Sequence, residues 1–196
     1  MSRAIPDYDR KKGKLHNFET ITTIFTSWIH VDNWQQKWAE ILLFDAIIGN
    51  TDRHQENWEI YSYVSKDGKL IEELSPAFDN GTSMGYDILS KNISKKLSNL
   101  EAYINKGTHH MMWLTSDAKH AGHFELLQKL VAKFPETKQL IITKLQIDIS
   151  AISQDILQLT EFNIHNLLYK LTEERANFII KLIEVRYTKL RKTFNV

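Results

Sequence analysis

The sequence has no cysteine, only three prolines and seven glycines, and almost no excess of one charge over the other. Without cysteine, disulfides, thiolate metal ligands and a cysteine nucleophile are all excluded. The formal net charge of +1 gives no broad attraction for a polyanion. We therefore expect no direct binding of nucleic acid.

Long apolar runs are also missing. The longest apolar stretches, such as ILLFDAII (41–48), are interrupted within a few residues, and MSRAIPDYDRKKGK (1–14) contains no segment typical of a signal peptide. The 42% hydrophobic and 25% charged residues are the ordinary balance of a folded, water-soluble protein. The sequence thus predicts a cytoplasmic protein without membrane association, folded as a single domain over residues 1–196.

The scarcity of proline and glycine, which each occur once after residue 115, favours long helices. Apolar residues at three- and four-residue spacings predict helices over 17–30, 34–48, 117–133, 135–148 and 172–194. Thr172, followed by Glu173 and Glu174, is typical of the N-cap and acidic first turn of the last helix.

One β-hairpin is predicted between the helical halves. WEIYSYV (58–64) and KLIEELS (69–75) flank the turn SKDG (65–68), which contains Asp67-Gly68. A hairpin folded about Gly68 sets Asn57 opposite Asp79 at its open end. The predicted fold class is therefore mainly α (α+β), a helical bundle with one β-hairpin.

Three oxygen-bearing side chains converge at this open end: Asp52 from the loop after helix 34–48, and Asn57 and Asp79 from the hairpin. Phosphoryl transfer needs a carboxylate that orients the attacking hydroxyl, and an amide and a second carboxylate that hold magnesium on the nucleotide phosphates. The spacing Asp-x-x-x-x-Asn is that of the protein-kinase catalytic loop. Capping of helices or turns by the same three residues is the alternative interpretation.

The stretches LLFDAIIGNTDRHQENWEIY (42–61) and LSPAFDNGTSMG (74–85) resemble the HipA-like kinases of bacteria. That family has a catalytic loop of the form N-T-D-x-H-x-x-N and a metal loop P-x-[FY]-D after a short hairpin. The similarity continues through YINKGTHHMMW (103–113) and HFELLQKL (123–130) to FIIKLIEVRYTKL (178–190).

This resemblance implies a protein-kinase-like C-terminal lobe that transfers phosphate from ATP to a serine or threonine hydroxyl of a protein. Asp52 would be the catalytic residue, Asn57 and Asp79 the magnesium ligands, and Asn50 and His54 loop residues that shape the cofactor-binding site. By analogy with the family, the protein would belong to a toxin–antitoxin or related regulatory system.

The sequence departs from the family in one respect: it shows neither a glycine-rich phosphate-covering loop nor a strand lysine before Asp52. We therefore expect the N-terminal nucleotide lobe to be absent from this chain, and the partner to be a separate N-terminal lobe or an antitoxin-like protein. One alternative is a non-catalytic remnant lobe that serves in binding or assembly. A second is a lipid or small-molecule kinase, because phosphatidylinositol kinases share the D-R-H-x-x-N wording.

The remaining polar and aromatic residues near the loop carry weaker expectations. For Arg53 and Glu56 we expect a solvated pair, with anchoring of the loop by Arg53 as the alternative. Trp58 is expected as a buried wedge at the start of its strand. A second histidine cluster could bind zinc or line the substrate side of the cleft, and its role stays open; it contains His109, His110, His120 and His123.

Overall fold

The computed structural model describes residues 16–163, 165 and 170–196. In these residues eight helices accompany one antiparallel two-stranded sheet. The elements are α1 (Phe18–Ser27), α2 (Trp34–Ile48), β1 (Ile60–Val64), β2 (Leu70–Leu74), α3 (Ile93–Leu97), α4 (Leu100–Lys106), α5 (His123–Lys133), α6 (Thr137–Lys144), α7 (Ile149–Gln158) and α8 (Glu173–Phe194). Short 3-10 turns at Ser90–Asn92 and Leu159–Glu161 precede α3 and follow α7. The prediction of a mainly helical fold with one hairpin is confirmed.

Helix α2 is the centre of the molecule. Most of its residues are buried, including Trp38 and Ala39, and it packs against α5, α6 and α8. A helix that is apolar on several sides must find partners on several sides, which is why the others surround it. It ends at Gly49, whose φ of 69° gives the left-handed cap that returns the Gly49 N–H to Asp45 O.

The predicted bounds of α2 are confirmed, and α8 begins directly after its predicted cap, where the Thr172 hydroxyl accepts from Arg175 N. The helix predicted over 117–133 starts only at His123. The Asp117 carboxylate instead accepts from the backbone N–H groups of Trp113 and Leu114 and closes a turn there. Helices α3, α4 and α7 were not predicted.

The hairpin is confirmed, but its predicted register is wrong by two residues. Ile60 pairs with Leu74, and the Ser75 N–H donates to Glu59 O one step further on. The chain turns through three residues, and Gly68 is the last of them at φ 77°, the left-handed position that follows a type I turn. Continued to the open end, this register sets Asn57 opposite Ala77 rather than Asp79.

Buried apolar side chains form two clusters. The larger joins α1, α2, α5, α6 and the end of α8, and the smaller joins α3, α4 and the start of α8. Helix α8 contributes to both, through Phe178 and Leu182 to the small cluster and through Leu190 and Phe194 to the large one. Within the described part of the chain, no helix is both long and apolar enough to cross a membrane.

Candidate active site

A buried ion pair lies beneath the loop that follows α2. Asp45, in the last turn of α2, accepts two hydrogen bonds from Arg53, from Nε at 3.0 Å and from Nη2 at 2.8 Å. It also accepts from His109 Nε2 at 3.0 Å and from Asn50 Nδ2 at 3.1 Å. Burial by itself raises the pKa of Asp45, but the hydrogen bonds from His109 and Arg53 outweigh it and hold the pKa below its usual value. Asp45 is therefore an ionised anchor for the loop.

The same Arg53 guanidinium joins the loop after α2 to the segment after the hairpin. Its Nη1 donates to Asn57 O at 2.9 Å and also to Phe78 O, and its Nη2 donates to Asn80 Oδ1 at 2.6 Å. One side chain thus holds both neighbours of Asp79 and the backbone of Asn57. This contact, and not strand pairing, links Asn57 to the residues on either side of Asp79.

Asp52 is half-buried, and its main chain is fixed on both sides. Its N–H donates to Asn50 Oδ1 at 3.1 Å, and its carbonyl accepts from Asn57 Nδ2 at 2.7 Å. Among the described residues, none donates a hydrogen bond to the Asp52 carboxylate. The carboxylate is therefore positioned by its backbone and remains available to a ligand.

Asn57 and Asp79 differ in exposure. Asn57 is buried and uses its amide nitrogen on Asp52, which leaves its carbonyl oxygen for a cation. Asp79 is exposed and has a φ of 51°, a conformation that costs a non-glycine residue free energy and is frequent at functional sites. Two hard oxygen donors of this kind suit magnesium, which takes few protein ligands and completes its shell with phosphates and water.

Asn50 is fully buried, and its side chain is used within the protein. Its Oδ1 accepts from Thr82 Oγ1 at 2.9 Å as well as from the Asp52 backbone, and its main-chain carbonyl accepts from His123 Nε2 at 2.6 Å. Burial lowers the pKa of His123 to about 3, so its ring is neutral. In the described structure Asn50 organises the loop from below.

His54 lies at the edge of a row of histidine rings beside Asp52. Its ring meets that of His110 edge-on at 5.8 Å, and His110 lies 4.9 Å from the ring of His120. Burial and the neighbouring His120 lower the pKa of His110, whereas the charge of Asp52 raises it. In the described ranges, no group of three His, Cys, Asp or Glu residues is arranged to hold a metal ion.

Two residues near the loop differ from expectation. The predicted solvated pair of Arg53 with Glu56 is wrong, because Arg53 is fully buried against Asp45, and the alternative of a loop anchor is correct. Trp58 is buried as predicted, but it precedes β1 by two residues, and its indole N–H donates to His16 Nε2 at 3.3 Å. At position 53 arginine is needed because its guanidinium can form two hydrogen bonds to the buried Asp45 carboxylate.

Asp45 is a structural partner of the site that the sequence did not single out, and the pairing of His109 with it was not predicted. The signal for Asp45 was present, since it falls on the apolar stripe of α2 at the spacing of Ile41, Leu42 and Ile48. A carboxylate on a buried stripe must have a buried partner. Arg53 lies eight residues away and His109 lies 64 residues away, and a contact over 64 residues cannot be inferred from sequence spacing.

Comparison with solved structures gives a match to the crystal structure of a Helicobacter pylori proinflammatory kinase, CtkA, with a TM-score of 0.68 and 17% sequence identity. The match covers 92% of this chain and 60% of that chain, so the present chain spans less than two thirds of CtkA. No protein-family model and no curated protein sequence matches the chain.

The structural match shows that the chain has a kinase-like fold. At this level of identity the likeness concerns the fold alone. The activity has to be argued from the side chains around Asp52.

Proposed function

We propose that this chain is the catalytic-loop lobe of an ATP- and magnesium-dependent phosphotransferase of HipA-like type, a protein serine/threonine kinase. The observation that carries the proposal is the Arg53 guanidinium, which links Asn57 to both neighbours of Asp79. A buried anchor of this kind is what a site needs when two loops must present ligands to one cation.

The residues divide into a proton acceptor and cation ligands. Asp52, whose carboxylate is not engaged by a described residue, orients the acceptor hydroxyl and takes its proton. Asn57 and Asp79 supply an amide and a carboxylate oxygen to magnesium, which would neutralise the charge of the transferring phosphate when bound. Asn50, through Asp52 N–H, keeps the loop in this arrangement.

A nucleotide lobe outside the described residues, or an antitoxin-like partner, completes the proposal. The described residues include no glycine-rich loop followed by a strand lysine, and the chain matches only part of the CtkA chain. Support also comes from the hairpin, whose tip residues Val64 and Leu70 are 68% and 67% exposed and available to another protein surface. The toxin–antitoxin role rests on family analogy.

Calorimetric titration with ATP, with and without magnesium, tests the proposal. We expect magnesium-dependent binding that Asp79→Asn weakens at least tenfold, equivalent to about 1.4 kcal/mol. Asp67→Asn in the hairpin turn is the matched control, because it removes one carboxylate charge just as Asp79→Asn does. The resulting Asn-Gly dipeptide suits the same turn. Equal affinity for the two variants would contradict the metal-ligand assignment. Absence of binding to any folded variant would favour a non-catalytic binding module.

The acceptor class needs a second measurement. Radiolabelled ATP is offered together with protein and lipid acceptors, and label on serine or threonine is the expected result. Asp52→Asn should reduce transfer by about 100-fold or more while ATP binding is kept, because the proton acceptor is lost and the cation ligands remain. Label on lipid alone would replace the protein-kinase assignment by a lipid kinase.

A further inference from the structure

A pocket lies beside the start of the loop that follows α2, where Gly49 and Thr51 form part of its lining. It has a volume of about 230 Å³ and is lined by the loop start, by the end of α4 and by Arg186 of α8. At about 30 Å³ for each water molecule, this is room for several waters or for a small oxyanion with its hydration. None of the proposed catalytic or metal-binding residues lines it.

Arg186 is the unusual group in this pocket. It is 4% exposed, yet no carboxylate of the described residues forms an ion pair with it. Its Nη1 donates to Ala46 O at 3.1 Å, near the end of α2, and no hydrogen bond from Nε or Nη2 to a described residue is present. Burial lowers the pKa of Arg186 to about 10, so it still carries its charge at neutral pH. The Nε and Nη2 donors of this largely buried guanidinium are therefore left for water or an anion in the pocket.

Two glycines make room for the guanidinium. A Cβ atom on Gly49 would lie 2.8 Å from Cζ, Nε and Nη2 of Arg186, and one on Gly107 would lie 3.4 Å from Nη2. The planar group therefore lies directly against the backbone of the catalytic loop. A side chain at position 49 would displace it, whereas one at position 107 would only touch it.

The other charged groups around the pocket favour an anion. Lys106, the exposed last residue of α4, adds a second positive charge to the lining. Asp87 also lines the pocket, but its Oδ1 accepts from the Tyr103 hydroxyl at 2.8 Å. The charged side chains of the lining are thus two cations and one carboxylate, and the carboxylate already accepts a hydrogen bond.

We propose that this pocket is an oxyanion site that binds phosphate or a phosphate monoester through the Arg186 guanidinium, with Lys106 at its mouth. Arginine matches phosphate oxygens by paired hydrogen bonds, and a lysine supplies a mobile point charge. Because Gly49 and Thr51 line the pocket and lie three residues and one residue before Asp52, a bound anion stabilises the start of the catalytic loop. The pocket lining does not include Asp52, Asn57 or Asp79, so this proposal does not rest on the proposed function.

Titration of the ¹⁵N-labelled chain with inorganic phosphate, followed by amide NMR at constant ionic strength, tests the proposal. EDTA is present, so that binding through magnesium at Asp79 is excluded. We expect saturable shifts at Gly49, Thr51 and Gly107, and an affinity at least tenfold lower in Arg186→Lys, which keeps the charge but loses the paired geometry. No saturable shift at these amides, or unchanged affinity in a folded Arg186→Lys, would overturn the proposal.

A second pair of variants does not depend on the buried arginine. Lys106→Glu should weaken phosphate binding at least threefold, and Lys138→Glu, an equal change on the exposed face of α6, should not. Equal affinities for these two variants would contradict the site. O-phosphoserine offered in place of phosphate distinguishes the sources of the ligand. Binding of both ligands supports a phosphorylated side chain, and binding of phosphate alone supports the free ion.

Discussion

At the scale of single residues, the loop depends on one buried ion pair. Asp45 and Arg53 are both fully buried, and His109 and Asn50 also donate to Asp45. Transfer of both charges out of water is costly, and the hydrogen bonds that satisfy them recover that cost. Removal of one charge leaves the other buried without a counter-ion. The resulting loss of folding free energy is larger than the net stabilisation that the intact pair provides.

Asp45→Asn should lower the free energy of unfolding by about 3–5 kcal/mol, because the Arg53 charge stays buried without its counter-ion. Urea denaturation followed by tryptophan fluorescence gives the value. Glu40→Gln is the comparison, since Glu40 pairs with Lys144 at 2.9 Å in a largely exposed setting, where a pair contributes about 1 kcal/mol or less. Similar losses for both variants would show that Asp45 is not the anchor described here.

Two buried histidines make the folded state sensitive to acid. Burial lowers the pKa of His16 and of His123 from 6.5 to about 3. Between these values the unfolded chain binds protons that the folded chain does not, so stability falls as the pH falls from 6.5 towards 3. We expect a loss of about 2–4 kcal/mol between about pH 7 and about pH 5, measured by urea denaturation.

His123→Gln separates this effect from general acid sensitivity. The variant lacks one of the two titrating rings, while its amide can still donate to Asn50 O, the partner of His123 Nε2. The slope of unfolding free energy against pH should fall by about 1.4 kcal/mol per pH unit. Equal slopes in wild type and variant would mean that His123 is not the buried neutral group.

At the scale of secondary-structure elements, the C-terminus of α2 is held from outside by α8. Gly49 ends the helix in the left-handed region, and Arg186 donates to Ala46 O in the last turn. A cation near a helix C-terminus is favourable, because the terminal carbonyls carry partial negative charge. The end of α2 and the start of the loop that follows it are therefore fixed together.

Gly49→Ala should destabilise the protein by about 1–3 kcal/mol, since its φ of 69° is strained for alanine and the new Cβ would lie 2.8 Å from the Arg186 guanidinium. Gly81→Ala is the control, because nothing lies within 4 Å of a Cβ placed there. Thermal unfolding monitored by circular dichroism compares the two. A neutral Gly49→Ala would contradict the close contact between loop and guanidinium.

The elements that could be predicted from the sequence are those with local signals. Helix α2 has an apolar pattern ending at glycine, and the hairpin has Asp67-Gly68, so both were found. The register was wrong because the dipeptide does not reveal whether two or three residues form the turn. Helices α3 and α4 are five and seven residues long, too short for a periodic pattern to be recognised. The link from Arg53 to Phe78 and Asn80 is tertiary and has no sequence pattern.

At the scale of the whole molecule, α8 connects two clusters that lie on either side of Arg186. Phe178 and Leu182 belong to the small cluster, and Leu190 belongs to the large one. When one cluster unfolds, α8 loses part of its packing, and this destabilises the other cluster because the same helix packs in both. The chain should therefore unfold in one cooperative transition, as the prediction of a single domain requires.

Tryptophan fluorescence can test this coupling, because none of the tryptophans belongs to the small cluster. Phe178→Ala removes a fully buried ring from that cluster and should cost about 3–5 kcal/mol. If the two clusters unfold together, the urea midpoint seen by fluorescence shifts to lower concentration and coincides with the midpoint from circular dichroism. Leu89 follows Ile88 of the small cluster, but its side chain is 60% exposed, so Leu89→Ala should leave both midpoints unchanged. An unchanged fluorescence midpoint in Phe178→Ala would show that the two clusters unfold independently.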